Sequence, residues 1–128
     1  MPLQASIIML GVQDLARAKR FYGDGLGCTI DQDREGFVSF TLAGGSSSLA
    51  LYPWEAAARD AGVSPAGSGF RGVSFHYLVD SSQAVHQVLK DVTEAGGAIV
   101  RKAVDAPWGC SGYFSDPDGY LWKVAADA

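Results

Sequence analysis

Apolar residues run almost unbroken through 5–12, the pattern of a buried strand. Asp14 follows, a side chain suited to cap a helix by accepting from its first free amides. Leu15, Ala18, Phe21 and Tyr22 then recur at helical spacing, and the glycines within 23–27 stop the helix. Three further strands are expected at 28–33, 37–42 and 48–52, separated by turns at 34–36 and 43–46. The order is β-α-β-β-β. Residues 53–60 have room for a helical turn, and 61–69, rich in Gly, Pro and Ser, read as a loop.

The second half repeats this order. A strand is expected at 72–79, with Asp80, Ser81 or Ser82 as the cap of a second helix. Val85, Val88, Leu89 and Val92 form an i, i+3, i+4, i+7 stripe along that helix, and Gly96 and Gly97 end it. Strands at 98–104, 111–115 and 120–125 complete the set, the last two joined by Asp116-Pro117-Asp118-Gly119, a strong turn signal. Val12 maps onto Val79 and Phe21 onto Val88 at the same spacing, and Gly27 onto Gly97 after a small insertion. The expected organisation is an internal βαβββ duplication, carried by the order of elements rather than by residue identities. Module one covers about 5–53, a linker about 54–71 and module two about 72–126, within one domain spanning 1–128.

Composition narrows the function. The chain has 128 residues, 48% of them hydrophobic and 19% charged, enough apolar material to bury a core. Its net charge of -4 argues against nucleic acid, whose phosphates call for clustered Lys and Arg. The apolar run at 7–10 is far short of the roughly 20 residues that span a bilayer, and it lacks the flanks of a signal peptide. No membrane partner is expected. Cys28 and Cys110 are too few for a disulfide framework or a four-cysteine metal site, and they suit small buried thiols in a reducing cytoplasm.

Three stretches resemble the vicinal oxygen chelate superfamily, which includes glyoxalase I, bleomycin-resistance proteins, fosfomycin-resistance proteins and extradiol dioxygenases. Residues 10–22 (LGVQDLARAKRFY), followed by Leu26-Gly27, are similar to its opening strand and helix. Residues 72–80 (GVSFHYLVD) resemble the strand that opens its second module, and 113–122 (YFSDPDGYLW) resemble its closing F-x-D-P-D-G-x-x-W hairpin. The resemblance implies an α+β fold in which two tandem βαβββ modules pair into a cup-shaped mixed sheet, helices on the convex side, with homodimers the usual assembly. It does not name a reaction.

Metal-dependent members of that superfamily place His, Gln or Glu on the first and last strands of both modules. The matching positions here are Ile7, Ala50, Ser74 and Lys123. Ile and Ala carry no donor, Ser is a poor ligand, and a lysine ammonium repels a cation. A slip of one residue brings in Ser6, Ile8, Leu49, Leu51, Val73, Phe75, Trp122 and Val124, which supply no ligand set either. A metal-free cup with no cofactor is therefore expected. Of the two histidines, His86 stands beside the apolar stripe and reads as surface, whereas His76 shares strand parity with Ser74.

The expected ligand-binding residues are Ile7, Phe37, Ala50, Tyr52, Trp54, Ser74, His76, Trp108, Tyr113, Leu121 and Lys123. Tyr52 shares parity with Ala50, and Leu121 with Lys123. Trp54 and Trp108 each sit beside a proline and suit a rim on which a planar or cationic ligand stacks. Trp122 alternates with Lys123 and is expected in the core. The leading functional expectation is a protein that binds a small molecule, similar to bleomycin-resistance proteins. A metal-independent lyase or isomerase is the first alternative, with Lys123 holding a carboxylate or enolate-like oxygen and His76 as general base. A non-catalytic interaction module is the second.

Overall fold

The computed structural model of the chain describes residues 2–45, 47–67, 69–71 and 73–127. Ser46, in the expected 43–46 turn, and Gly72, the expected first residue of the second module, lie outside the described residues. The chain divides into two units, Met1–Gly67 and Ser68–Ala128.

In the first unit, β1 (Ile7–Val12) leads to Asp14, whose extended backbone and Oδ1, accepting from the Arg17 N–H at 3.0 Å, start helix α1 (Leu15–Lys19). The helix continues in wider π turns over Arg20–Gly25. Gly27, at φ 74°, turns the chain out of it, a conformation that glycine adopts without a Cβ clash. Strands β2 (Thr29–Arg34), β3 (Phe37–Thr41) and β4 (Ser48–Pro53) complete a sheet of order β1-β4-β3-β2, with β1 parallel to β4 and the other pairs antiparallel.

Strand alternation sorts the sheet's two faces. Leu10, Val12, Val38, Phe40, Leu49 and Leu51 are all buried, and α1 packs over β3 and β4 with Ala18, Phe21 and Tyr22 buried. Tyr22 lies edge-on to Phe21, centroids 4.9 Å apart, and 6.3 Å from Phe40. Each such side chain contributes about 1.5–3 kcal/mol of apolar burial, so this layer is what holds the unit together.

The residues after β4 form a full helix, α2 (Trp54–Ala61), where the sequence led to no more than a turn. Glu55 in its first turn and Arg59 near its end suit the helix dipole. Gly62, left-handed at φ 74°, ends it with N–H bonds back to Ala58 and Arg59. A Cβ built on Gly11 would meet the Ala57 Cβ and the Trp54 Cα at 3.4 Å each. Gly11 alternates with Leu10 and Val12, so α2 sits on the face opposite α1.

The second unit has the same topology. Strands β5 (Ser74–Leu78), β6 (Ala98–Ala106), β7 (Gly109–Ser115) and β8 (Leu121–Asp127) follow the order β5-β8-β7-β6, with β5 parallel to β8. Helix α3 (Ser82–Glu94) is capped by Ser81, whose hydroxyl accepts from the Ala84 N–H at 3.0 Å. It buries Val85, Leu89 and Val92 against the sheet. Trp122, half-buried, lies on this helix side, parallel to Phe114 (6.0 Å, 1°) and 4.9 Å from Phe75. Strands β6 and β7 are longer than the sequence pattern indicated, because Ala106 pairs with Gly109 and only Pro107 and Trp108 form the turn.

Asp116 explains the closing motif. It is buried, and its Oδ1 accepts from the N–H groups of Asp118 (2.9 Å) and Tyr120 (2.8 Å), replacing ladder bonds through the turn. Gly119 takes the positive φ of 90° that this turn requires. The fold is α+β, two βαβββ arrangements each with a four-stranded sheet and a covering helix.

Candidate functional site

Because Phe75, Phe114, Trp122 and Val124 point toward α3, their neighbours along each strand point the other way. That open face carries one polar row across all four strands. His76 pairs with Lys123, Lys123 with Tyr113, and Tyr113 with Arg101. His76 and Arg101 are exposed, and Lys123 and Tyr113 are half-buried. The Arg101 guanidinium lies 5.3 Å from the Tyr113 ring centroid and its Nη2 donates to the Ser111 hydroxyl at 3.0 Å. A cation held over a ring at an exposed site gains about 0.5–1 kcal/mol, enough to bias its position. Ser74 Oγ and His76 Nε2 stand 3.3 Å apart.

The flanking rows are neutral. Ser74, Leu121, Ser115 and Ala98 lie on one side of it; Leu78, Ala125, Ser111 and Val104 lie on the other. Among the described residues, no carboxylate belongs to these three rows. Two cations and a histidine in one row favour an anion or a polarised carbonyl oxygen, the carboxylate on this face being that of Asp127, further along β8 and paired with Gly109.

Of the expected site residues, Ser74, His76, Tyr113, Leu121 and Lys123 share this face. Trp108, 80% exposed, stands at the tip of the β6–β7 hairpin. In the first unit, Ile7, Phe37, Ala50 and Tyr52 share the face opposite Leu10 and Leu51. Tyr52 lies edge-on to Phe37 (6.0 Å, 73°), and Ile7 is 62% exposed while Ala50 is buried. Trp54, at the start of α2, donates its indole N–H to the Pro65 carbonyl at 2.8 Å, which ties the loop after α2 to that helix. Arg101 joins this face although the sequence pattern does not place it there. The ladder slips between Ile99 and Arg101 and again between Arg101 and Val104, and such irregularities defeat counting by alternate residues.

The four positions at which the superfamily resemblance places metal ligands do not fit an ion. Ile7 and Ala50 present only carbon, the Ser74 hydroxyl lies against His76, and Lys123 presents an ammonium group.

A family model described as Glyoxalase/Bleomycin resistance protein/Dioxygenase superfamily matches residues 5–124. Among solved structures, a glyoxalase-related enzyme from Fulvimarina pelagi is similar at 29% identity, with a TM-score of 0.86 over 97% of this chain and 88% of that one. A glyoxalase/bleomycin resistance protein/dioxygenase family enzyme from Burkholderia phytofirmans PsJN, 13% identical, shares the fold at a TM-score of 0.84 over 98% and 100%. A hypothetical protein from S. aureus, 23% identical, does so at 0.83 over 98% and 94%. No curated protein matches the chain.

Proposed function

The chain belongs to the glyoxalase/bleomycin resistance protein/dioxygenase superfamily, and from that premise we propose that it binds a small anionic or carbonyl-bearing molecule without a metal ion. The observation that carries this reading is the row His76, Lys123, Tyr113, Arg101 on the open face of the second sheet. Lys123 and Arg101 receive the oxygen atoms, and the Tyr113 ring between them offers a flat apolar contact. Trp108, exposed beside this sheet, gives a second ring for planar ligands.

A second reading rests on the direct pairing of His76 with Lys123. His76, as general base, takes a proton from a carbon next to a carbonyl. Lys123 stabilises the resulting enolate oxygen; where the deprotonated carbon bears a hydroxyl, its proton passes to that oxygen, and return of the proton from His76 to the former carbonyl carbon completes an isomerisation. Homodimers and a cytoplasmic location belong to the same proposal. Among the described residues, no helix is long and apolar enough to cross a membrane.

Calorimetric titration with a panel of small carboxylates and dicarbonyls tests both readings. Lys123→Ala should weaken binding by about 1–3 kcal/mol, roughly 5- to 150-fold in Kd, as loss of a charge-assisted contact does. Trp108→Ala should weaken aromatic ligands more than aliphatic ones. Saturable binding without product supports the binder; turnover abolished by His76→Ala supports the isomerase. If both substitutions leave every affinity unchanged, this face is not the site and an interaction module becomes the better description.

A further inference from the structure

We propose that His86, Asp105 and Cys110 form a second site, on the helix-covered side of the second unit, for one divalent transition ion of the zinc type. Their candidate donor atoms all lie within 4.8 Å of one another. A tetrahedral ion at zinc's ligand distances needs donors roughly 3.3–3.8 Å apart. The remaining contraction of about 1 Å is within reach of torsions at His86 and Asp105, both exposed.

The fold builds this cluster from three elements. Asp105 and Cys110 are paired across the β6–β7 hairpin, two steps from its tight turn, so the ladder fixes their spacing. His86 reaches them from α3. Ser82, one turn earlier on that helix, donates its hydroxyl to Asp105 Oδ1 at 2.9 Å. Such an outer hydrogen bond orients a carboxylate for coordination, as second partners do around established metal ligands. The Ser82 hydroxyl, and after it the Cys110 thiol, hold the Asp105 carboxyl below its ordinary range, with a weaker opposing push from burial and a small pull from His86.

The donor set selects the ion. One nitrogen, one oxygen and one sulfur suit zinc or a neighbouring transition metal, whereas magnesium and calcium call for oxygen alone. Charge is balanced too: a divalent ion with a thiolate, a carboxylate and a neutral imidazole sums to zero. The nearby Lys90 and Lys102 are then no obstacle. Together with His86, Leu89, Thr93, Ile99 and Ala103 they line an open groove of about 390 Å³ beside the cluster, which His86 borders. The site lies on the opposite side of the sheet from Ser74 and Lys123, so it is separate from the anion-binding face.

Cobalt(II) titration of chelator-treated full-length protein tests the assignment. The expected result is one equivalent bound, with a thiolate-to-cobalt charge-transfer band and four-coordinate ligand-field bands, both displaced by zinc. Cys110→Ser should abolish the charge-transfer band, while Cys28→Ser retains it. His86→Ala and Asp105→Asn, at exposed positions, should each weaken zinc at least tenfold, and Ser82→Ala by roughly 10-fold. Circular dichroism checks that Cys110→Ser folds. Zinc or cobalt bound no more tightly by wild type than by His86→Ala overturns the proposal, as does a charge-transfer band that follows Cys28. Neither failure would alter carboxylate binding at Lys123.

Discussion

Replacing Gly112 by alanine should destabilise the protein, because α3 rests directly on that position. A Cβ there would stand 2.9 Å from the Leu89 Cδ1, and 3.1 Å from both the Ala103 nitrogen and the Arg101 oxygen. The leucine methyl can rotate, but the two backbone atoms belong to β6 and yield only if the strand shifts. Overpacking of this kind costs about 1–3 kcal/mol. Alanine returns about 0.4–1 kcal/mol by restricting the unfolded chain, leaving a net loss of roughly 1–2 kcal/mol. With an unfolding entropy of about 2.1 cal/mol/K per residue, that corresponds to a fall in Tm of about 4–7 °C. Urea melts should show a lower midpoint at an unchanged slope. Leu89→Ala, itself costing about 2–5 kcal/mol, removes one of the three close atoms. Gly112→Ala should then cost less in that background, by about 0.5 kcal/mol or more. A neutral or stabilising Gly112→Ala, or two fully additive substitutions, would refute the close seating of α3. The assignment of Lys123 and Arg101 to the face turned away from the helix would fall with it.

Three other outcomes are open to measurement. Asp116→Ala leaves two turn N–H groups without their buried acceptor and should cost about 1–3 kcal/mol in chemical denaturation, more than Asp116→Asn, which keeps one oxygen. Asp105 has a lowered pKa, so its stabilising effect is present above the carboxylate's unfolded pKa and is lost as pH falls through the folded one; the gap in urea midpoint between wild type and Asp105→Asn should therefore close on acidification. Light scattering at micromolar concentration should give twice the chain mass, since the edge strands β1 and β5 expose Ile7, Met9, Tyr77 and Leu78, and a monomer would count against the homodimer.

What the sequence makes legible is local. Helix stripes, glycine stops and the Asp116–Gly119 turn each follow from a few neighbouring residues, and the duplicated order of elements follows from them. Parity along one strand places Lys123 with Leu121, and His76 with Ser74, because each strand is regular at those points. Parity fails on β6, where two slips in the ladder turn Arg101 onto the face of Tyr113. Long-range proximity is invisible in the same way: nothing in the spacing of His86, Asp105 and Cys110 says that α3 crosses the β6–β7 hairpin. The Pro65 carbonyl that accepts from the Trp54 indole N–H lies eleven residues on, a partner that the residues around Trp54 do not announce. Side-chain direction within an element is a local property, whereas the partner a side chain meets depends on how elements pack.

A crystal structure of the protein with the tightest carboxylate from the titration panel is the most direct measurement of the binding proposal. The carboxylate is predicted within hydrogen-bonding distance of the Lys123 Nζ or the Arg101 guanidinium, its carbon skeleton against Tyr113. The groove between α3 and β6, with Lys90 and Lys102, is a second cationic surface among the described residues of this unit. A ligand seated there, with Lys123 and Arg101 untouched, would contradict the assignment of function to the open face.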